Sequence, residues 1–299
     1  YKSNPFNLSI SPALAGYINT AAPGTNIGTS AVLTGTSAYN NSWTASSIGA
    51  FLASGNPAAL EKSSVDYVKP EHVTAFEVGY RGLIKGVTVD VNVYYNSYKD
   101  FIASESVVAP LYGNVNLTDA VDLAPVVGSP VPVVTPIALI ALQNGDYKGV
   151  SFDSNSDADI SSYGATIGLS TKIFDGFNLG VNYTYSKFDI EGTVNPDFEA
   201  GFNTPEHKFK MQFGKTDLFE NFGFNVNLRW QDEFLWQSAY YDGMVDARTT
   251  LDAQVNYRMP KLKSTVKLGG ANLGGKEYFS APGVGGIGSQ YYLSWTVNF

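Results

Sequence analysis

The chain has 299 residues, of which 44% are hydrophobic, 14% aromatic and only 15% charged, well below the roughly 25% charged residues of an ordinary soluble domain. It has no cysteine and a net charge of −8, which excludes disulfides and thiolate chemistry and argues against a phosphate-tracking nucleic-acid binder, since that needs a basic face. The longest apolar run, Pro136 to Leu142, is far short of the ~18 residues of a membrane helix, so any crossing of a bilayer is made by strands.

In chain order, Tyr1 reads as the tail of a strand, and no signal peptide precedes it; the chain is therefore expected to be a fragment of something longer. Residues 2–72 are rich in Gly, Ser, Thr, Asn and Ala without good periodicity, and are expected to form one long outer loop. From Val73 onward, segments of about ten residues alternate apolar and polar side chains, the period of a strand with two unlike faces. Val87, Val89, Val91, Val93 and Tyr95 alternate with Thr88, Asp90, Asn92, Tyr94 and Asn96. The same pattern returns over Phe177–Ser186, over Phe222–Gln231 and over Tyr291–Phe299.

Alternation alone also suits a soluble sandwich, so length is the second criterion. Soluble strands average ~5–6 residues, whereas tilted membrane strands need ~9–11. Link lengths are the third. Short links at Arg81–Gly86, Ile173–Gly176, Lys215–Asn221 and Met259–Leu262 alternate with long ones at Lys99–Ser162, Lys187–Pro205, Asp232–Ala247 and Leu273–Ser289. Membrane barrels segregate short periplasmic turns from long extracellular loops in this way. The expected fold is all-β, an antiparallel up-and-down transmembrane β-barrel, with about nine complete strands after Thr74. An odd, open set leaves an unpaired edge in lipid, so further strands are expected upstream in the same gene.

Aromatic residues near the ends of the lipid-facing rows, Tyr80, Tyr95, Phe177, Trp230, Tyr257, Tyr291 and Phe299, suit interfacial girdles; plain strand preference for aromatics explains the same placement. The opposite face carries Glu77, Asp90, Lys172, Lys208, Lys210, Arg229, Asp252, Arg258 and Lys267, which would line water inside a wide barrel.

Several motifs are weak. Gly283–Gly288 spells G-x-G-x-x-G, but it follows a loop and enters a strand, not a helix. Asp153, Asn155, Asp157 and Asp159 are spaced like a calcium loop, yet Ala158 and Gly164 stand where its glycine and glutamate belong. His72 and His207 are the two histidines, neither with a second ligand at metal spacing; a haem contact from His72 and an ordinary loop position are both open. No metal site, cofactor or catalytic group is expected, and no Ser-His-Asp arrangement can be built. Candidate ligand contacts are aromatic loop residues, because apolar surface in solvent tends to have a partner: Trp43 and Phe51, Tyr112, and Trp236, Tyr240 and Tyr241. Packing within the loops is the competing account. The Pro-rich apolar stretch from Val121 to Leu142 is too large to leave bare, and would cover the pore mouth or dock a partner lipoprotein.

Val68-Lys69-Pro70-Glu71 with Phe76-Glu77-Val78-Gly79-Tyr80-Arg81-Gly82 resembles the KPE…FEIGYKG stretch of TonB-dependent receptors. Leu251-Asp252-Ala253-Gln254-Val255, Ala271-Asn272-Leu273 and Lys276-Glu277-Tyr278 resemble their LLDAxV…NNLxNKxY stretch, with Ala271 and Gly275 replacing two asparagines. The terminal Tyr291 to Phe299 resembles the closing strand of that family, and Asn203 to Lys208 an intermediate landmark. The resemblance implies the C-terminal part of a 22-stranded outer-membrane barrel whose plug domain and TonB box lie outside this sequence. It further implies import of a siderophore, haem, cobalamin, glycan or peptide, energised by the TonB–ExbB–ExbD complex acting on the plug. Implied partners are lipid and lipopolysaccharide, a surface lipoprotein in some systems, and the outer-membrane assembly machinery, which reads an aromatic end such as Phe299. A passive porin and a β-sandwich binding protein are the alternatives.

Overall fold

The structure, a computed structural model, describes residues 6–9, 16, 19–20, 30–33, 42–110, 120–122, 124, 128–145, 147–191, 195–238 and 241–297. They fall into two compact units: Tyr1–Glu71, Asp100–Asp157 and Thr193–Ala200 form the first, and His72–Lys99, Ala158–Gly192 and Gly201–Phe299 the second.

The second unit is a nine-stranded antiparallel sheet. Its strands are β1 (His72–Ile84), β2 (Val87–Lys99), β3 (Asp159–Ile173), β4 (Phe177–Glu191), β5 (His207–Phe219), β6 (Phe222–Gln231), β7 (Arg248–Met259), β8 (Ser264–Ala271) and β9 (Gln290–Val297). Each strand pairs with the next in the chain, so spatial order is sequence order. The nine strands expected from the alternation are present, and β1 to β7 have 10 to 15 residues each. Between β1 and β2 the chain reverses in two residues, Lys85 (φ 48) and Gly86 (φ 83), a pair of positive φ values that matches the twist of a tight hairpin. That turn is shorter than the link expected at Arg81–Gly86, because the β1–β2 ladder runs on to Ile84↔Val87.

The register sorts the side chains into rows. One row runs Tyr80, Val91, Ile167, Tyr183, Phe209, Trp230. Its neighbour on the opposite face, one residue along, runs Arg81, Asp90, Gly168, Asn182, Lys210, Arg229, Thr250. Because successive side chains alternate faces, one face of the sheet is apolar and the other polar. The apolar face has no cover among the described residues: Val78 is 77% exposed, Leu293 74% and Trp295 68%. Among the described residues no second sheet or helix receives these side chains, and no described helix is long and apolar enough to cross a membrane.

Aromatic rings mark both ends of that apolar face. Toward the short turns, Phe177 stacks on Phe213 at 5.4 Å between ring centroids, Phe224 meets both edge-on, and Phe219 stacks on Phe222 at 4.9 Å. Toward the long links, Tyr163, Tyr183, Tyr185 and His207 form a second group, in which Tyr183 Oη and His207 Nδ1 share a 2.7 Å hydrogen bond. Phe177 and Tyr185 are eight residues apart on β4, roughly 26 Å along the strand at ~3.3 Å per residue. A tilt of ~40° reduces this to about 20 Å of height, near the ~25 Å apolar band of a membrane barrel.

The first unit holds more regular structure than the aperiodic sequence of residues 2–72 signals. It holds a helix, Ala45–Ser54, and a sheet in which Ile102–Pro110 pairs with Tyr147–Asn155, Trp43–Thr44 and Phe198–Glu199. The helix ends on Gly55, whose φ of 67 lets its N–H reach Phe51 O at 2.7 Å, a left-handed stop that glycine adopts without a Cβ penalty. Its first turn is capped from far along the chain: the Ser46 N–H and Oγ–H both donate to the Asp197 carboxylate, at 2.6 and 2.9 Å. Trp43, Phe51, Val107, Leu139, Ile140 and Phe198 are buried, and Phe198 meets Phe101 edge-on at 6.2 Å. Part of the Pro-rich stretch thus packs inside this unit through the helix Ile137–Asn144, while Val131 and Val134 stay exposed.

Candidate ligand-facing wall and rim

The polar face of the second unit concentrates positive charge near its long-link end. Alternation along β5, β6 and β7 puts Lys208, Gln231 and Arg248 in one row and Lys210, Arg229 and Thr250 in the next. Lys208, Lys210, Arg229, Arg248, Thr250 and Tyr278 surround a cavity of about 130 Å³. A wider groove of about 630 Å³, which Lys210 and Arg229 share, continues along the same face past Asn182, Asn227, Arg81 and Asp90. Arg81 and Asp90 form an exposed ion pair at 3.7 Å, and the Asn92 amide donates to Glu77.

Two side-chain contacts join this wall to the loop that follows β8. Asp252 accepts from the Arg229 guanidinium on one oxygen and from the Asn272 backbone N–H at 3.0 Å on the other. Asn272 is buried. Its side-chain amide donates to Lys276 O at 2.9 Å and Ile287 O at 3.4 Å, while its own carbonyl accepts from Ser289 Oγ at 2.6 Å. The loop closes on itself through a bridge between Tyr278 and Ile287. The second contact is Arg248, whose Nη1 donates to Phe279 O at 2.9 Å while its guanidinium lies 4.5 Å over the Tyr278 ring. Beside this loop is a cavity of about 840 Å³, lined among others by Tyr241, Met244, Arg248, Tyr278, Phe279 and Pro282.

The structure separates the aromatic candidates. Tyr241 is exposed and lines the large cavity. Trp236 is half-buried in a small hairpin, Phe234–Trp236 against Gly243–Val245, where it pairs with Gly243, and the next residue, Gln237, exchanges hydrogen bonds with Asn203 at 2.8 and 2.9 Å. Trp43 and Phe51 belong to the packed interior of the first unit, so their bulk is satisfied by loop packing, the competing account of their placement. Tyr112, Tyr240 and Phe299 lie outside the described residues. The acidic spacing at 153–159 has a structural use, since the Asn155 side chain accepts from Lys69 N and donates to the carbonyls of Lys69 and Asp100. Gly283–Gly288 stays within the loop after β8 and leads into β9. From sequence, Tyr278 stands out only within the Lys276-Glu277-Tyr278 landmark and Arg248 not at all, although stepping back by twos from Asp252 along β7 reaches Arg248 on the polar face.

A sheet polar on one face, bare and apolar on the other, with long links at one end, is the wall of a membrane-spanning β-barrel. The chain belongs to the family of TonB dependent receptor-like β-barrels, whose description matches residues 11–273, and members of this family are proteins of the Gram-negative outer membrane. Among solved structures, the FrpB iron transporter from Neisseria meningitidis superposes with a TM-score of 0.50 at 13% identity over 78% of this chain and 32% of that one. The siderophore receptor PirA from Acinetobacter baumannii gives 0.48 at 16% identity over 76% and 32%. The pyoverdine outer membrane receptor FpvA from Pseudomonas aeruginosa PAO1 gives 0.48 at 12% over 78% and 30%. The chain thus spans about a third of the length of these structures. No curated protein matches it.

Proposed function

We propose that this chain forms the C-terminal part of the barrel wall, with the outer loops, of an active importer of a scarce nutrient, and that it contributes no catalysis. The observation that supports this is the two-faced sheet: the apolar face is bare, while the polar face carries a charged groove that leads to the long-link rim. In this reading an N-terminal plug, encoded outside the present sequence, fills the barrel and is pulled by TonB, energised by ExbB and ExbD. Ligand is held between loop residues such as Tyr241 and the groove below, and the aromatic loop residue Trp236 belongs to the same rim. Siderophore, haem, cobalamin, glycan and peptide are the ligand classes under test.

The test uses the full-length receptor. Its gene is deleted, and growth of the deletion strain is compared with that of a strain lacking TonB on limiting panels of these nutrients. Loss of the same nutrient in both strains supports the importer. A nutrient lost in the receptor deletion alone, together with steady conductance of the purified protein in a planar bilayer, is the behaviour of a passive porin and overturns it.

A further inference from the structure

We propose that Lys208, Lys210, Arg229 and Arg248 form a subsite for a multivalent oxyanion group of the transported ligand, and that filling it loosens the loop between β8 and β9. The inference rests on the importer reading to the extent that the polar face lines the transport path.

The charge arrangement is the first observation. Four cations stand in two successive rows on three adjacent strands around one small cavity, in a chain whose overall charge is −8. Lys210 and Arg229 are directly opposed across β5 and β6, and like charges in opposed positions destabilise a sheet. A solvated wall has no need of such a pair. Among the described residues the one carboxylate that reaches the cluster is Asp252, already divided between Arg229 and the Asn272 backbone. Lys208 and Lys210 have no acidic partner within 4 Å among the described residues. A cluster of four cations with one shared carboxylate to compensate them is the signature of a site whose missing charge arrives with a ligand. With a volume of about 130 Å³, the cavity suits a single phosphate-sized or dicarboxylate-sized group, and the guanidinium forks offer it paired donors.

The second observation is that two of the four cations are already engaged by the loop. Arg248 holds Phe279 O and stacks on Tyr278; Arg229 holds Asp252, which holds Asn272. An oxyanion in the cavity competes with a neutral carbonyl for Arg248 and with a shared carboxylate for Arg229. In the Arg248 bond to Phe279 O only the donor is charged, whereas an oxyanion adds the opposite charge and a second acceptor for the guanidinium fork, so Arg248 shifts toward the anion and the Tyr278–Phe279 segment loses its anchor. Anion binding and loosening of this outer loop become linked, and by reciprocity a loosened loop raises affinity for the anion.

The experiment titrates inorganic tripolyphosphate into the full-length receptor in nanodiscs, reading heat of binding and amide hydrogen exchange over residues 276–287. Wild type is expected to bind, with exchange in that segment accelerated. Lys208→Met with Lys210→Met is expected to weaken binding about tenfold or more, with barrel folding checked by heat-modifiable gel mobility. Arg248→Lys keeps the charge but not the fork or the stacking, so its segment exchanges fast before any anion is added, while binding persists. Unchanged affinity in the double lysine variant, or exchange indifferent to the anion, overturns the proposal. So does absent binding in wild type combined with release of the plug in the lysine variants, which would make plug carboxylates the partner. Failure of TonB-dependent uptake with intact tripolyphosphate binding sinks the importer reading and leaves the subsite standing.

Discussion

Lys210 and Arg229 face each other across β5 and β6, two positive side chains at directly paired positions on the polar face. Asp252 neutralises one of them. Lys210→Thr removes the opposition, and is expected to raise the stability of the folded barrel by a few tenths to about 1 kcal/mol. Urea unfolding in lipid vesicles measures it, and a loss of stability contradicts this account of the pair.

Val181 and Asn182 are sequence neighbours on β4 with opposite surroundings, the first in a row with Leu169 and Met211, the second with Gly168 and Lys210. Val181→Arg puts a charge on the lipid face and is expected to cost about 2–4 kcal/mol of folding free energy near the bilayer midplane. Asn182→Arg meets water and is expected to cost no more than the few tenths to about 1 kcal/mol of a like charge opposite Lys210. Equal costs for the two changes in vesicle refolding would mean that the two faces do not meet different solvents.

Gly164 lies under the Tyr94 ring on the polar face. A Cβ at that position meets the Tyr185 carbonyl oxygen and comes within 2.7 Å of Tyr94 Cε1. The ring can swing aside, but the carbonyl belongs to the β3–β4 ladder and cannot. Gly164→Ala is therefore expected to cost about 1–3 kcal/mol as an overpacked site, and Tyr94→Ala should fail to rescue it. Full rescue by the tyrosine change would place the strain in the ring alone.

Asp197 caps the helix Ala45–Ser54 through Ser46. Asp197→Ala is expected to destabilise the first unit by about 0.5–2 kcal/mol, the usual cost of a lost cap. The readout is hydrogen exchange of the Ser46–Phe51 amides, which should accelerate while β3 and β4 keep their protection. Unchanged exchange in the helix would mean that the cap carries no stability.

The strands were legible because a sheet between two solvents repeats its demand every second residue, as in Val87, Val89 and Val91 against Thr88, Asp90 and Asn92. Faces and order followed from that, and so did the inward placement of Lys208, Lys210 and Arg229. Residues 45–54 were harder, because Ile48, Phe51 and Leu52 sit on helical spacing among small polar residues and Gly55 alone marks the stop. The cap that completes this helix, Asp197, lies too far along the chain for any local pattern to reveal. Burial of Trp43 and Phe51 was hidden for the same reason, since the strand Ile102–Pro110 that pairs with Trp43 follows two intervening barrel strands. Of the site, the cations were visible singly. Their convergence on one cavity needed the register of β5, β6 and β7, and the grip of Arg248 on Tyr278 and Phe279 needed the fold of a loop without periodicity.

Strands β2 and β3 match over twelve consecutive pairs, Val87↔Thr171 to Tyr98↔Ile160, although residues 100–158 intervene between them. What aligns them is complementarity of their rows, since a link of that size imposes no register and its closure entropy grows only slowly with length. The segment between them is thus an exchangeable part on a frame that sets its own register. A graft of a different insert there should leave the frame's assembly intact, so the surface the segment presents can change while the ladder beneath it stays the same.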